Sequence, residues 1–155
     1  MNKDQLISEH EVTVSHLSIE QFIPEKLERE WGSETIIAKG PTFLTKLLHM
    51  KAGRKGGLQF HVEKTEAFYL QYGEAEVEYV DEEGELITVP MVPGMCFFIP
   101  PGAIHRVTAL EECLFIEGSS PHFDDRVHVE EPGQETGGLP STWESEDGIH
   151  FRRKT

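Results

Sequence analysis

The sequence lacks the features that mark several large classes of protein. Its only two cysteines, Cys96 and Cys113, form no Cys-x-x-Cys pair, which excludes a thiolate zinc site of that kind. No apolar run approaches the length of a transmembrane helix, and the first residues lack the apolar core of a signal peptide. We therefore expect a cytoplasmic protein. Both cysteines lie in apolar runs and are expected to be buried thiols.

Basic residues are also scarce. Fourteen lysines and arginines stand against 28 aspartates and glutamates, which gives a net charge of −14. Nucleic acids and anionic membranes both attract proteins with a basic surface, so neither is expected as a partner. The length of 155 residues fits one domain with its own core and a modest tail.

Short strand-like segments dominate the middle of the chain. Between Thr35 and Glu117, runs rich in Val, Ile, Phe, Tyr and Leu alternate with turns that contain Gly and Pro. This pattern is typical of an all-β sandwich or barrel. The clearest strand is 75–79, in which apolar and glutamate side chains alternate with a period of two. A hairpin turn is predicted at 82–85.

The two ends of the chain differ from this middle part. Ser18-Ile-Glu-Gln21 resembles a helix capping box, but Pro24 limits any helix that begins there. Residues 1–30 are therefore predicted to be an arm with short helical turns, and residues 31–131 to form the barrel.

Residues 132–155 are predicted to form an extended C-terminal tail, because they are rich in Gly, Pro, Ser and acidic residues. Trp143 and Phe151 favour docking of this tail over disorder, since a free tail rarely needs large aromatic side chains. Small barrels bury surface by pairing, and long tails can exchange across such a pair. We therefore expect a homodimer.

Four side chains spread along the predicted barrel form a candidate metal site. Gln59 and His61 lie two residues apart on a strand, so their side chains share one face. Glu66 follows across a short turn, and His105 comes after the turn Pro100-Pro-Gly102. Two imidazoles, a carboxylate and an amide oxygen suit Zn²⁺, Fe²⁺, Mn²⁺, Co²⁺ or Ni²⁺ and leave positions open for substrate. Spacing alone also allows His61 and His105 to be ordinary histidines.

The residues around these ligands resemble the two motifs of the cupin superfamily. In the first motif a glycine, two ligands, a glutamate and a glycine follow in order, here as Gly56, Gln59, His61, Glu66 and Gly73. The second motif corresponds to Gly94, Pro100, Gly102 and His105. The resemblance implies a double-stranded β-helix, or jelly-roll, barrel that holds one divalent metal ion on Gln59, His61, Glu66 and His105. Gln59 replaces the commoner histidine, and Ala109 replaces the asparagine that often ends the second motif.

The Gln-x-His pair is similar to that of the cupin domain of type II mannose-6-phosphate isomerases. The similarity runs from Trp31-Gly32 to the acidic segment 127–131. The chain departs from that family at Glu66-Ala67-Phe68, where the family has Glu-His-Trp, and at 132–134, where its Tyr-Gly-Arg is missing. The resemblance implies a metal-dependent isomerase or epimerase whose substrate is a small sugar, such as a phosphorylated sugar.

An aldose–ketose isomerase moves a proton through an enediol, which requires an acid–base group, and a phosphate requires cationic partners. Lys64 and Arg106 adjoin the ligands and are the candidate catalytic residues; the alternatives are a solvated loop lysine and an outer-face salt bridge. The basic cluster 46–55 either receives an anionic sugar or balances local charge. The candidate substrate contacts are Lys46, Arg54 and Tyr72, although a tyrosine in this region is more typical of a barrel core.

Two other functions remain open. Two histidines and a carboxylate resemble the facial triad of iron- or manganese-dependent dioxygenases. Loss of the groups that surround the ligands in the isomerase family favours a non-enzymatic sugar- or metal-binding module. Bound iron with oxygen uptake would favour the first alternative, whereas isomerisation that depends on His61 would exclude the second.

Overall fold

The computed structural model describes residue 19, residues 21–130 and two short strands further along the chain, and these residues form strands, turns and loops without a helix. In chain order the strands are β1 (Glu25–Arg29), β2 (Gly32–Lys39), β3 (Leu44–Met50), β4 (Leu58–His61), β5 (Glu66–Tyr72), β6 (Ala75–Val80), β7 (Leu86–Met91), β8 (Cys96–Ile99), β9 (His105–Ala109), β10 (Cys113–Ser119), β11 (Arg126–Glu130), β12 (Trp143–Ser145) and β13 (Phe151–Arg153). The all-β class predicted from the sequence is confirmed. Among the described residues, no helix is long and apolar enough to cross a bilayer.

Eleven of these strands form two antiparallel sheets. One sheet has the order β1-β2-β3-β10-β5-β8, and the other has the order β11-β4-β9-β6-β7. Strands far apart in the chain are neighbours, as in the pair β3 and β10. Such crossing of the chain between two sheets is typical of a jelly-roll. Strands β12 and β13 form a separate two-stranded sheet.

The hydrophobic core lies between the two sheets, and strand periodicity explains which side chains enter it. In β6, Ala75 and Val77 are fully buried, whereas Glu76 and Glu78 on the opposite face are half-buried. The alternation predicted for 75–79 is therefore confirmed. Strands β6 and β7 pair as the predicted hairpin. The main core cluster consists of Met50, Phe68, Leu70, Ala75, Val77, Met91, Ile99, Ala109, Cys113 and Phe115.

Strand β4 carries polar groups on one face and apolar groups on the other. Gln59 and His61 line an internal cavity, while Leu58 and Phe60 pack with Ile104 in a second apolar cluster. Burial of Phe60, which is 2% exposed, contributes roughly 1.5–3 kcal/mol. A slip of one residue in the pairing of β4 would turn Gln59 and His61 away from the cavity and turn Leu58 and Phe60 into it. Burial of the apolar face therefore fixes the direction of the two polar side chains.

The turn before β9 brings His105 to β4. Gly102 has a φ of 81°, a left-handed conformation that favours glycine. Its N–H donates to the carbonyl oxygen of His61 at 2.7 Å, and Gln59 and His105 are opposite each other in the β4–β9 pair. The turn predicted at Pro100-Pro-Gly102 therefore places the second motif beside the first.

The sequence predictions for the two ends fall largely outside the described residues. Residues 1–18 and residue 20 are not described. The short helical turns predicted after the capping box at 18–21 are wrong where the structure describes the chain, because residues 21–24 form a loop and β1 follows, which pairs with β2 and extends the six-stranded sheet. The division into arm, barrel and tail stays a prediction, as does docking of the tail through Trp143 and Phe151.

The expectation that both cysteines are buried is correct for one of them. Cys113 is buried in the core, and burial raises the pKa of its thiol. Cys96 is exposed, so the prediction is wrong there. The reason is that β8 is the last strand of its sheet and turns Cys96 and Phe98 to the outside. An apolar sequence run on an edge strand need not be buried.

Candidate metal centre

Three of the four predicted ligands converge. His61 ends β4, Glu66 begins β5 and His105 begins β9, and all three side chains are buried. Oε1 of Glu66 lies 3.1 Å from Nε2 of His105 and 3.5 Å from Nε2 of His61. One ligand atom from each residue lies within 4.8 Å of the other two. The cluster could therefore hold a metal ion.

The Nδ1 nitrogen of each imidazole donates a hydrogen bond to an oxygen acceptor. Nδ1 of His105 donates to the carbonyl oxygen of Ala103 at 2.9 Å, and Nδ1 of His61 donates to Oδ1 of Asp125 at 3.0 Å. The other ring nitrogen of each histidine, Nε2, therefore faces Glu66. Among the described residues, the buried Nε2 of His61 has no close hydrogen-bond partner. A buried ring nitrogen in this position fits a metal ion, and such outer partners are typical of metal-bound histidines.

Asp125 also fixes the turn between β4 and β5. Its Oδ2 accepts the backbone N–H groups of Glu63 at 2.8 Å and of Lys64 at 2.6 Å. Burial alone would raise the pKa of Asp125, but these hydrogen bonds and His61 outweigh burial and lower it. The carboxylate therefore stays charged and holds two ligand-bearing segments together.

Lys64 lies inside the fold rather than in solvent. It is 4% exposed, and its Nζ is 2.5 Å from Oε2 of Glu66 and 2.5 Å from Oε1 of Glu117. Burial alone would lower the pKa of Lys64, but Glu117 and Glu66 outweigh burial and raise it. We call Glu66, Lys64 and Glu117 the cavity cluster. A charged ammonium held in this way orients the carboxylate of Glu66 so that Oε1 faces the histidines.

The pKa of Glu66 is held far below its usual range. Burial alone would raise it, but the imidazoles of His105 and His61 and the ammonium of Lys64 outweigh burial. Glu66 is consequently an ionised carboxylate, the form that a divalent cation requires as a ligand.

Gln59 lies beside the other three ligands. It is half-buried, stands opposite His105 in the β4–β9 pair and lines the same cavity. Its position is compatible with ligation through the amide oxygen, and that role stays a prediction.

The ligands line a cavity of about 210 Å³. Trp31, Leu48, Met50, Phe68, Val107 and Phe115 form its apolar wall. The predicted site residues that line it are Gln59, His61, Lys64, Glu66, His105 and Arg106.

The three predicted substrate contacts lie elsewhere. Lys46 is buried, and its Nζ is 3.3 Å from Oε2 of Glu34. Arg54 is exposed near Glu30, and Tyr72 is 43% exposed at the end of β5. None of the three belongs to the cavity lining, so their predicted role gains no support from their positions.

Arg106 borders the cavity, but its guanidinium takes the outer-face position that was the alternative to a catalytic role. It points away from His105 along β9, and it bonds Glu78 through Nε and Nη2 at 2.7 and 2.8 Å and Glu130 through Nη1 at 2.9 Å. The hydrogen bonds to Glu78 raise the pKa of Arg106 more than burial lowers it. We call Glu78, Arg106 and Glu130 the outer cluster, because it joins β6, β9 and β11 on the face opposite the ligands.

Comparison with known proteins supports the fold. Residues 46–117, just under half of the chain, match the cupin domain, and this segment contains all four predicted ligands within the jelly-roll described above. The fold is that of a cupin barrel. The double-stranded β-helix barrel predicted from the two motifs is thereby confirmed.

Three solved structures illustrate the similarity of the fold. KdgF from Halomonas sp. is 29% identical over 65% of this chain and 89% of its own, with a TM-score of 0.56. Oxalate decarboxylase from Bacillus subtilis is 20% identical over 68% of this chain, with a TM-score of 0.61. The capsular polysaccharide assembling protein CapF from Staphylococcus aureus is 20% identical over 71%, with a TM-score of 0.63.

The chain spans 30% of the oxalate decarboxylase chain and 32% of the CapF chain. At 20% identity these two structures show the fold alone. A search of curated protein sequences found no significant match.

Sequence analysis missed three residues that the cupin barrel brings to the site: Asp125, Glu117 and Arg126. Asp125 and Glu117 act through partners more than 50 positions away, which no local pattern reveals. Arg126 was detectable, because polar and valine residues alternate along 126–129. That alternation places Arg126 on the cavity side of β11.

Proposed function

We propose that this cupin is a metal-dependent isomerase or epimerase of a small sugar or sugar phosphate. The observation that carries the proposal is the convergence of His61, Glu66 and His105 in the wall of a cavity that also contains the carboxylate of Glu117. The cavity is smaller than the roughly 300–1,000 Å³ of pockets for drug-sized ligands. A monosaccharide is therefore a more suitable substrate than a larger conjugate.

The proposed ligands are His61, Glu66, His105 and Gln59, an N/O set that suits a first-row divalent ion. When bound, such an ion would polarise the substrate carbonyl as a Lewis acid. The chain must supply the group that moves the proton. Glu117 is a cavity carboxylate that is not a proposed ligand, and we assign it removal of the proton from one carbon and its return to the next. Lys64 holds Glu117 and Glu66 in place, which is a positioning role instead of the catalytic one predicted.

The test is deuterium exchange. The purified protein, loaded in turn with Zn²⁺, Fe²⁺, Mn²⁺, Co²⁺ or Ni²⁺, is incubated in D₂O with mannose 6-phosphate, fructose 6-phosphate and neutral aldoses. The resemblance to type II mannose-6-phosphate isomerases makes mannose 6-phosphate the first substrate to try. Because an enediol exchanges its proton with solvent, we expect deuterium at C2 in the NMR spectrum of the true substrate.

Matched variants separate metal binding from proton transfer. His61→Ala should lose both the metal and the exchange, whereas Glu117→Gln should keep the metal and lose the exchange. His49→Ala is the control, because His49 lies on β3 outside the cavity and pairs with Glu112. A metal-loaded protein that exchanges no substrate proton would contradict the isomerase proposal.

A dioxygenase is the second candidate, and one observation favours it. The three side chains that the fold brings closest together are two histidines and one carboxylate, the set found in oxygen-activating iron sites. Oxygen consumption by the iron-loaded protein, lost in His105→Ala, would support this candidate. Binding of metal and sugar without turnover would support a non-enzymatic binding module instead.

We also propose that this cupin is a homodimer that pairs through the outer face of the six-stranded sheet. Phe98 on that face is 66% exposed, and Cys96 beside it is exposed and stands opposite Tyr69. In a chain with a net charge of −14, two copies avoid repulsion best where they meet on uncharged surface. Sedimentation should show a dimer that Phe98→Asp disrupts; a monomeric wild type would refute the pairing. A cytoplasmic location stays a prediction.

A further inference from the structure

One cation in the cavity wall has no acidic partner. Within the part of the chain that the structure describes, the cations that line the cavity are Lys64, Arg106 and Arg126. Each of the first two lies between two carboxylates. Arg126 is exposed, and its guanidinium makes no ion pair or hydrogen bond with the described residues.

The register of the sheet places Arg126 next to the candidate metal centre. In the antiparallel β4–β11 pair, Arg126 stands opposite His61. Residues in this relation have Cα atoms about 4.5–5.5 Å apart and side chains on the same face. The long arginine side chain therefore starts beside a proposed ligand and extends along the wall of the same cavity.

The charges around the cavity favour an anion at this point. The charged side chains on the ligand side of the lining are Glu34, Glu66, Glu117, Lys64 and Arg126; the charge of Arg106 is held by Glu78 and Glu130 on the opposite face. Three carboxylates and two cations leave one negative charge, which a divalent ion on the proposed ligands would turn into an excess of positive charge. In an otherwise acidic chain, this cavity would attract anions and repel cations.

We propose that Arg126 binds the carboxylate or phosphate group of a small acidic substrate whose other oxygen atoms reach the metal centre. The planar guanidinium matches either oxyanion through two parallel hydrogen bonds. The inference rests on the proposed metal-centred function and narrows its substrate class to monosaccharide-sized acids and phosphates. It replaces Lys46 and Arg54 as the anion contact, because neither lines the cavity.

Calorimetric titration of the full-length, zinc-loaded protein tests the proposal. The probes are glucuronate, mannose 6-phosphate, inorganic phosphate and neutral mannose. Arg126→Gln should weaken binding of the anionic probes roughly ten- to a hundredfold and leave that of mannose unchanged. Arg126→Lys, which keeps the charge but not the paired hydrogen bonds, should lose less. Arg54→Gln removes an exposed arginine outside the cavity and should match the wild type.

The probes separate the two sources of the anion. If Arg126→Gln weakens binding of glucuronate alone, or of the phosphates alone, the proposal is supported and the bound group is identified as a carboxylate or a phosphate. If the variant weakens binding of both kinds of probe, Arg126 recognises the oxyanion that they share. An equal loss for mannose, no loss for any probe, or no binding of anions by the wild type overturns it. If Arg126→Gln fails to fold, Arg126→Lys decides, since it must weaken the anions and spare mannose.

Failure of this inference differs from failure of the proposed function. If Arg126→Gln loses anion binding while no sugar exchanges its proton, Arg126 is an anion contact in a cupin that is not an isomerase. If Arg126→Gln exchanges protons of anionic sugars with unchanged KM, the isomerase stands and Arg126 is a solvated arginine.

Discussion

Two buried cations on opposite faces of the barrel have the same local arrangement and different surroundings. In the cavity cluster, Lys64 joins Glu66 and Glu117; in the outer cluster, Arg106 joins Glu78 and Glu130. The two cations are buried to a similar degree, since Lys64 is 4% exposed and Arg106 is 6% exposed. Among the described residues, no buried polar atom of the outer cluster lacks a hydrogen-bond partner, whereas the cavity cluster lies beside Nε2 of His61, which lacks one.

The difference teaches how to separate a structural ion pair from one that serves a site. An arginine with paired hydrogen bonds to carboxylates on adjacent strands is complete in itself. A lysine that holds only one oxygen of a glutamate leaves the other free to face two imidazoles. The second arrangement suits a bound cation, because a charged carboxylate oxygen and two imidazole nitrogens meet at one buried point.

The largest expected effect is on metal binding. Glu66→Gln keeps the side-chain shape but removes the ligand charge, so we expect zinc affinity to fall by more than about a hundredfold, beyond the 10–100-fold typical of outer partners. Glu78→Gln makes the same change in the outer cluster and should leave the affinity unchanged. Competition with a chromophoric chelator measures both. Equal affinities for the two variants would remove the distinction between the clusters.

The next effect is on folding stability. Lys64→Met removes the ammonium between Glu66 and Glu117, and we expect a loss of about 3–5 kcal/mol in the free energy of unfolding of the metal-free protein. Arg106→Met removes the guanidinium between Glu78 and Glu130 and should cost less, because Lys55 stays 3.6 Å from Glu78. Adding zinc should reduce the loss for Lys64→Met, since the ion would neutralise Glu66, and should not change it for Arg106→Met. Urea unfolding with and without zinc measures this. A deficit for Lys64→Met that zinc does not reduce would argue against an ion at Glu66.

A smaller effect is expected at the partner of His61. Asp125→Asn weakens the group that orients this imidazole, so zinc affinity should fall by about 10–100-fold. The adjacent Asp124→Asn is the control, because it makes the same change one residue away and Asp124 has no bond to the ligands. If both variants bind zinc as the wild type does, Asp125 serves the β4–β5 turn alone.

The fold and the convergence of His61, Glu66 and His105 could largely be predicted from the sequence, because their signals are local. Alternation along β6 fixed its buried face, and the i, i+2 spacing of Gln59 and His61 fixed their common direction. Glycine and proline marked the turn that precedes His105. Each of these depends on neighbours in the chain, which a sequence displays directly.

The surroundings of the ligands could not be predicted, because they depend on register between distant strands. In the sequence, Lys64 has the features of a solvated loop lysine. In the fold, β10 brings Glu117 beside it, although the two residues are 53 positions apart in the chain. Asp125 bonds His61 across 64 positions. Arg54 looked like part of a basic patch in the sequence, but the strands separate it from Lys46, which turns inward to Glu34. Charge and proximity in sequence do not determine which face a side chain occupies.

The smallest expected effect is on the pH dependence of stability. Arg106 lowers the pKa of Glu78 from its ordinary value of 4.5. A carboxyl group whose pKa is lower in the folded state stabilises the fold above its unfolded pKa, and that contribution is lost as the pH falls through the folded pKa. In Glu78→Gln the free energy of unfolding should therefore fall less between about pH 6 and about pH 3 than in the wild type. The difference should be on the order of 1 kcal/mol, less than the roughly 1.5–3 kcal/mol of a buried hydrogen bond to a charged group, because Glu78 is partly exposed to solvent.

The control for this measurement is Glu76→Gln. Glu76 lies on the same strand and face as Glu78, but no cation pairs with it among residues 21–130, so its removal should leave the acid limb of the stability curve unchanged. The measurement is the urea midpoint of unfolding across the pH range for the wild type and both variants. Metal is left out so that titration of the proposed ligands contributes equally in all three proteins. If Glu78→Gln and Glu76→Gln flatten the curve equally, Arg106 does not stabilise the charged form of Glu78, and the outer cluster is a solvent-screened contact.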